Sequence, residues 1–432
     1  MSAGYAITTY KIQLNYKHLD WFKQTQSLFD AVLAFYYKLL EKQPEALSLT
    51  NQNLLRHLEL QTIKQRDGTP PETPLPFEKI PLYFRRAAIN AAISMYRSYV
   101  GKLKAWQEGP IKSGKPSPPK CLHMSMLYYK GMYKDFDEKS ILLKLYTGKT
   151  WAWVKHRYTG RPFPENVELM SPTIVIRKKK VMLHIPVKEI VEDNRTAKER
   201  VQQNEKFVAV ALTGSDSLAV CTTIEADGRA TAPYFIKGGK ELAHRRKLLL
   251  GYTKRGIAGN NTPRFMTHTV GNAALSVPQE QRPNKKYYDK ITRLTDHYAH
   301  EVSRKIVDYA LKQGAKLIVL PELKESFNQA KKPYLGKTPY DFIGRRIARY
   351  VQYKAWQQGL VALTSKPYYA STRCYHCDAP IAKHNTEYQN PSANFYGGKN
   401  FVCKEGHRGS TALNSARNLG KGFYERFYLG VA

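Results

Sequence analysis

Three of the five cysteines in this 432-residue chain lie close together. Cys374-Tyr-His-Cys377 is a C-x-x-C pair, and Cys403 follows after a stretch long enough for a hairpin. Thiolates at this spacing can chelate one tetrahedral Zn²⁺, whose structural sites take four sulfur or nitrogen ligands. His407, close behind Cys403, is the expected fourth ligand, with His376 and His384 as weaker candidates. The zinc expected is structural, because no Glu or extra His stands at the H-E-x-x-H spacing of a helical catalytic site. Cys121 and Cys221 stand alone. The set is therefore not a disulfide framework, and it reads as a cytosolic protein with one metal site.

Around that cluster the charge is one-sided. Lys and Arg number 69 against 35 Asp and Glu, a net charge of +34. Such an excess costs self-repulsion in a lone folded chain and is relieved by a polyanionic partner, of which nucleic acid is the commonest. No apolar run approaches the roughly 18 residues of a membrane span, and no signal peptide or basic amphipathic tail stands out, so no membrane partner is expected. Thirty tyrosines accompany the cations, a mixture suited to stacking bases beside a backbone. The nucleic-acid contacts expected are Arg85, Arg86, Arg97, Trp151, Arg157, Lys178, Lys179, Arg245 and Arg246.

These residues need elements to hold them. Residues 5–16 read as a strand, and helical periodicity follows over 19–41, 49–65 and 81–106. Residues 109–119 form a Gly/Pro/Lys/Ser linker, beyond which short β-type runs cover 140–146, 150–157, 173–177 and 181–187. This predicts an open β-barrel that includes the first strand, with the helices inserted in it. After a polar stretch an α/β pattern begins, with apolar strands at 206–212, 218–224, 316–320 and 360–363. Helices are expected at 241–255, 287–313, 340–358 and 411–427. The fold class is thus α/β and multidomain.

Residues 287–424 carry a more specific signal. The segments ITRLTDHYAHEVSRKIVDYALKQGAKLIVLPEL (291–323), YDFIGRRIARYVQYKAWQQGLVALTSKPYYASTRCYHC (340–377), FVCKEGH and ALNSARN come in the order and spacing of the TnpB-like nucleases and their descendants, the compact type V CRISPR effectors. This resemblance implies a RuvC-like (RNase H) domain at 196–370 and 410–432, interrupted by a zinc ribbon at 371–409. It also implies a wedge-like β-barrel at 1–16 and 110–195, and a helical recognition region at 17–109. The implied partners are a guide RNA and target double-stranded DNA, with base pairing supplying specificity. A homodimer or a recruited protein partner is left open. The implied setting is a prokaryotic cytoplasm, at the nucleoid when target-bound.

The family's nucleases place three carboxylates around two Mg²⁺ ions, which demand hard oxygen ligands. Here the matching positions are Ala211 in Val210-Ala211-Leu212-Thr213, Pro321 in Pro321-Glu322-Leu323, and Ala412 ahead of Leu413-Asn414. Asp216 and Glu322 lie nearby, but neither easily rebuilds the site. The expectation is a catalytically inactive, nuclease-dead member that does not use Mg²⁺. It would bind DNA under RNA guidance without cutting and act by occupancy, as transcriptional repression or CRISPR interference. The alternatives are a guide-RNA-dependent selector that recruits transposition machinery, or a residually active RNA-guided endonuclease.

Overall fold

The computed structural model describes residues 4–64, 68–109, 114–119, 121–165, 167–214, 216–258, 284–323, 339–367, 369–384 and 398–431. Two compact units emerge, one of Ile7–Glu189 and one of Met1–Ala6 with Ile190–Ala432.

The first unit opens with β1 (Gly4–Leu14), then α1 (Leu19–Lys42), α2 (Asn51–Thr62) and α3 (Leu82–Glu108). Seven strands follow: β2 (Met126–Leu127), β3 (Tyr133–Lys134), β4 (Ser140–Tyr146), β5 (Trp151–Thr159), β6 (Glu168–Leu169), β7 (Thr173–Arg177) and β8 (Lys180–Val191). They form one sheet in the order β2-β7-β8-β1-β5-β4-β3, with β6 paired to β8. The first strand therefore lies in the middle of a sheet whose other members come more than a hundred residues later. Helices and sheet share one core, in which Phe22, Phe29 and Phe84 pack with Ile12, Leu143 and Leu183. The sequence boundary between 17–109 and 110–195 does not divide that core.

The second unit is layered. It contains α4 (Ala197–Gln202), β9 (Phe207–Leu212), β10 (Ser217–Ile224), β11 (Ala230–Lys237), α5 (Gly239–Ala258), α6 (Lys285–Lys312), β12 (Leu317–Pro321), α7 (Pro339–Gln357) and β13 (Val361–Ser365). A small sheet of β14 (Ile381–His384), β15 (Asn400–Cys403) and β16 (Arg408–Ser410) precedes α8 (Thr411–Phe427). The five-stranded sheet runs β11-β10-β9-β12-β13, with β9, β12 and β13 parallel and β10 and β11 antiparallel. Strand alternation splits its side chains between two cores. Val208, Val210, Ile318 and Leu320 face α6 and α7 through Val302, Ile306, Ile343 and Ile347. Phe207, Ala209, Leu317 and Val319 face α8 through Leu419 and Phe423. Gly420 permits that close approach, since a Cβ there would fall 2.6 Å from Ile224 and 3.0 Å from Ala209.

One anchor gave no sequence signal. Arg200 is fully buried and donates to the carbonyls of Arg195, Asp193, Lys316 and Gly359, fastening α4 to the chain just before β12 and β13. Asp193, 3.1 Å away, balances its charge. No helix among the described residues is long and apolar enough to cross a membrane.

Candidate metal centre and nucleic-acid surface

The ribbon brings its ligands together through two tight turns. At the first, the Cys374 N–H donates to Ala379 O at 2.8 Å, and the Asp378 N–H donates back to Cys374 O at 2.9 Å. At the second, the Cys403 N–H donates to His407 O at 3.1 Å, with Gly406 supplying the left-handed residue at φ +82°. Strand pairing of Ile381 with Cys403 brings the turns face to face. The ligand atoms of Cys374, Cys377, Cys403 and His407 then all lie within 4.8 Å of one another.

Individual separations are 3.6 Å for the Cys377 and Cys403 sulfurs, and 3.4 Å from Cys403 Sγ to His407 Nδ1. A tetrahedron with Zn–S bonds of about 2.3 Å has S···S edges of about 3.8 Å, so the group fits such an ion and could hold a metal such as zinc. Burial opposes ionisation of the Cys403 thiol, but hydrogen bonds from His407 and Cys377 outweigh it and bring the thiol down to about 7. His376 stands outside the cluster, its ring stacked on that of His407 at 5.1 Å. The His384 side chain lies outside the described residues.

Two asparagines that carry no role in the sequence reading fasten this ribbon to α8. Buried Asn414 accepts from the Tyr375 N–H at 2.9 Å and donates to Arg373 O at 2.7 Å. Asn418, one turn later, donates to the same carbonyl and to Ala370 O. The Asn-x-x-x-Asn spacing, i and i+4 on one helix face, was the available signal.

Ala211 and Pro321 stand on neighbouring strands of the central sheet. Ala211 continues the Phe207–Ala209 alternation, and Pro321 that of Leu317 and Val319, so both belong to the face covered by α8. The register pairing Val319 with Ala209 puts Pro321 level with Ala211, and Ala412 lies in the first turn of α8. Ser365 pairs with Pro321 on the neighbouring strand. Glu322 alternates to the other side, its N–H donating to Ser365 O at 2.8 Å. Asp216, in the turn before β10, is held by Lys399 at 3.0 Å and Lys240 at 3.1 Å, and these ammonium groups keep its carboxyl below the usual range.

The expected nucleic-acid contacts divide sharply. Arg85 is a correction: it is buried, and with Arg86 it pairs to a single buried carboxylate, Glu59, at 3.3 and 2.9 Å. A guanidinium turned inward onto a carboxylate is part of the core and cannot reach a phosphate. Arg97 is likewise committed, to Asn51 and the carbonyls of Leu47 and Leu49, where it joins α3 to the start of α2. Trp151 packs edge-on against Phe84 with ring centres 5.0 Å apart. Arg245 pairs with Glu241 one turn earlier, and Arg246 is half-buried.

By contrast, Arg157, Lys178 and Lys179 are exposed, the last two in the turn between β7 and β8. Arg157 shares a β5 face with Lys155 and Trp153, all exposed. Lys144 stands opposite Trp153 in register, and the Lys134 and Lys144 ammonium groups lie 4.7 and 5.7 Å from its ring centre. An aromatic face rimmed by cations can stack a base while gripping the backbone on either side.

Three comparisons place this geometry. A family model described as the Aq_aa04 family matches residues 6–147. The CRISPR-associated endodeoxyribonuclease Cas12f1 of Sulfoacidibacillus thermotolerans is 29% identical over 139 residues, 32% of this chain and 29% of that protein. The match therefore spans less than a third of that relative's length. A cryo-EM structure of the Cas12f1-sgRNA-target DNA complex superposes with a TM-score of 0.53 at 13% identity, over 94% of this chain and 83% of that one, a likeness of fold.

The relative overturns one expectation. The reading that this chain is no enzyme does not stand, since the curated protein it resembles is an endodeoxyribonuclease by name. That reading rested on the loss of carboxylates at three positions and held that Asp216 and Glu322 do not easily rebuild the site. Side chains at Ala211, Pro321 and Ala412 offer no oxygen ligand, but they do not determine what Asp216 and Glu322 at the same strand ends can do.

Proposed function

We propose that this chain, which resembles the compact type V CRISPR effectors of TnpB type in sequence and the Cas12f1 fold in structure, binds a guide RNA and uses it to recognise double-stranded DNA. The observation that carries the reading is the joint fold. A chain built of a sheet with inserted helices and a second α/β unit with a Cys₃His cluster shares, at a TM-score of 0.53, the fold of a protein solved with single-guide RNA and target DNA. The net charge of +34 supplies the sequence-independent grip such a partner requires. In this reading the first unit is a wedge-like barrel with a recognition insertion, the second is RuvC-like, and the ribbon holds a structural zinc.

The test is a gel shift with guide RNA and duplex DNA. A matched duplex is expected to bind only in the presence of guide, and mismatches beside the flanking motif should abolish the shift. Equal binding of matched and unmatched duplex would refute guided recognition and leave a plain nucleic-acid binder. Within this scheme Trp153→Ala should weaken single-strand binding by about 1–3 kcal/mol, the worth of one base stack. Trp151→Ala should lower stability instead, because that ring sits against Phe84. Fluorescence titration and thermal unfolding separate the two effects.

A second reading, guided DNA cleavage, is favoured by the name of the curated relative. Mg²⁺ would need oxygen ligands at the strand ends, where Asp216 and Glu322 are the carboxylates next to the aligned positions. Asp216 would first have to leave Lys240 and Lys399. Incubating the same complex with Mg²⁺ reads this directly. Cut product that disappears in Asp216→Asn would establish it, and intact DNA would remove it.

A further inference from the structure

A cavity of about 600 Å³ in the first unit is walled by three tyrosines, Tyr83 of α3 with Tyr129 and Tyr133 on either side of the turn between β2 and β3. Its size lies within the range of about 300–1,000 Å³ common to sites for small ligands. One face of α3 supplies Tyr83, Arg86 and Asn90, which stand three and four residues apart. The tyrosines are held in place. The Met132 N–H donates to Tyr129 O at 2.9 Å and closes the turn, in which Gly131 takes φ +98°. A Cβ at Gly131 would fall 2.6 Å from the Tyr83 ring, so the turn backbone lies directly against that ring. The Tyr129 hydroxyl accepts from Asn90 Nδ2 at 3.0 Å.

The charge of the wall is nearly balanced, in a chain whose net charge is +34. Arg86 is committed to Glu59 through Nε and Nη2, and Glu168 pairs with Lys188 at 3.1 Å. Lys130, which is exposed, is the remaining cation of the lining. Polar groups come from the amides of Gln52 and Asn90 and the hydroxyl of Ser171. Such a wall suits a phosphate poorly, since phosphate is gripped by clustered guanidinium and ammonium groups. It suits a flat, neutral heterocycle with donors and acceptors around its edge.

We propose that this cavity seats one nucleobase that has left its stack, in a strand of bound nucleic acid. Tyrosine rings replace the neighbours that the base has lost, and an amide offers its edge a donor and an acceptor side by side. A base inside a duplex keeps both faces covered by its neighbours and cannot use such walls. Lys130 is placed to meet the adjoining phosphate. The inference rests on the reading that this chain binds nucleic acid; it does not rest on guidance.

The test uses two short single strands with the same sugar-phosphate backbone, one carrying all its bases and one abasic throughout. Their binding to wild type, Tyr83→Ala, Tyr83→Phe and Gln52→Ala is followed by fluorescence anisotropy as a function of salt. Tyr83→Ala should weaken the base-bearing strand by about 5- to 150-fold, the worth of one base stack. It should leave the abasic strand and both salt slopes unchanged, because no phosphate contact is lost. Tyr83→Phe keeps the ring and should bind as wild type does. Gln52→Ala, at an exposed position on α2, should cost the base-bearing strand about 2- to 10-fold, the range of one hydrogen bond. Unchanged binding by Tyr83→Ala at an unchanged unfolding midpoint overturns the seat, and so does an equal loss on both strands. If Tyr83→Ala lowers the midpoint, Gln52→Ala decides: a loss confined to the base-bearing strand upholds the seat, and no loss removes it. Wild type that binds both strands equally would keep the electrostatic grip and remove the pocket. A failure of guided recognition shows only with matched and mismatched duplex, which these arms do not contain.

Discussion

Replacing Cys374 with serine should strip the metal from the ribbon and loosen the whole segment that leans on α8. Cys374 is fully buried, and its backbone closes the first turn of the ligand set. The next N–H, that of Tyr375, is the one held by Asn414. A structural zinc contributes on the order of 10–16 kcal/mol of apparent binding energy in small ribbon-like sites, and that energy is folding energy for the segment it gathers. The small apolar cluster of Cys374, Phe401 and Cys403 is too slight to replace it. Elemental analysis of the purified chain should therefore find about one zinc per molecule, and Cys374→Ser or Cys403→Ser should lose most of it. Hydrogen exchange should accelerate in residues 369–384 and 398–410 and at the start of α8. Cys121→Ser, at an exposed position remote in sequence, should change neither. A metal-free wild type, or a Cys374→Ser protein with its full complement of zinc, would remove the site.

Glu59→Ala should be the most damaging single change in the first unit. Its side chain is only 8% exposed, and its carboxylate neutralises two arginines at once. Removing it leaves the Arg85 guanidinium, whose side chain is only 11% exposed, without a counter-charge. Breaking one partner of a buried ion pair costs about 3–5 kcal/mol, because the survivor must stay charged in a medium that solvates it poorly. In urea this corresponds to a fall of about 1–3 M in the midpoint of the unit's unfolding, given ordinary m values. Arg86→Ala should cost less, since that side chain is 40% exposed and can reach water. Arg157→Ala, exposed on β5, should leave stability nearly unchanged and weaken nucleic-acid binding instead. If Glu59→Ala and Arg157→Ala shift the midpoint equally, the Glu59 network is not structural. The order of these three variants also separates the arginines that hold the fold from those available to a phosphate.

Much of the secondary structure was legible in the sequence because it rests on local periodicity. The helix expected at 19–41 is Leu19–Lys42, and the strands expected at 140–146 and 173–177 are Ser140–Tyr146 and Thr173–Arg177. The buried strands expected at 206–212 and 316–320 are Phe207–Leu212 and Leu317–Pro321. Elements with weak periodicity escaped notice. Strand Ala230–Lys237 is an edge strand with mostly exposed side chains, so it carries no apolar stripe. The short helix Ala197–Gln202 owes its place to the Thr196–Glu199 capping box and to buried Arg200 rather than to an apolar face.

The sequence by itself supplied the three cysteines Cys374, Cys377 and Cys403 and a preference for His407 over His376 and His384, because chelation by spacing is nearly a local property; the packing of the two turns gathered His407 with them. It also pointed to a polyanionic partner, since net charge is a sum over residues and needs no coordinates. Only the tertiary structure decided which cations are free to meet that partner. Arg85 and Arg157 look alike along the chain, yet a carboxylate 26 residues away claims the first and strand alternation delivers the second to solvent. Tyr83, Tyr129 and Tyr133 became the walls of a single cavity only through the packing of α3 against the turn after β2. The reason is physical: whether a charge binds a ligand or holds a fold depends on which opposite charge lies within a few ångströms, and that distance is set by packing rather than by sequence separation.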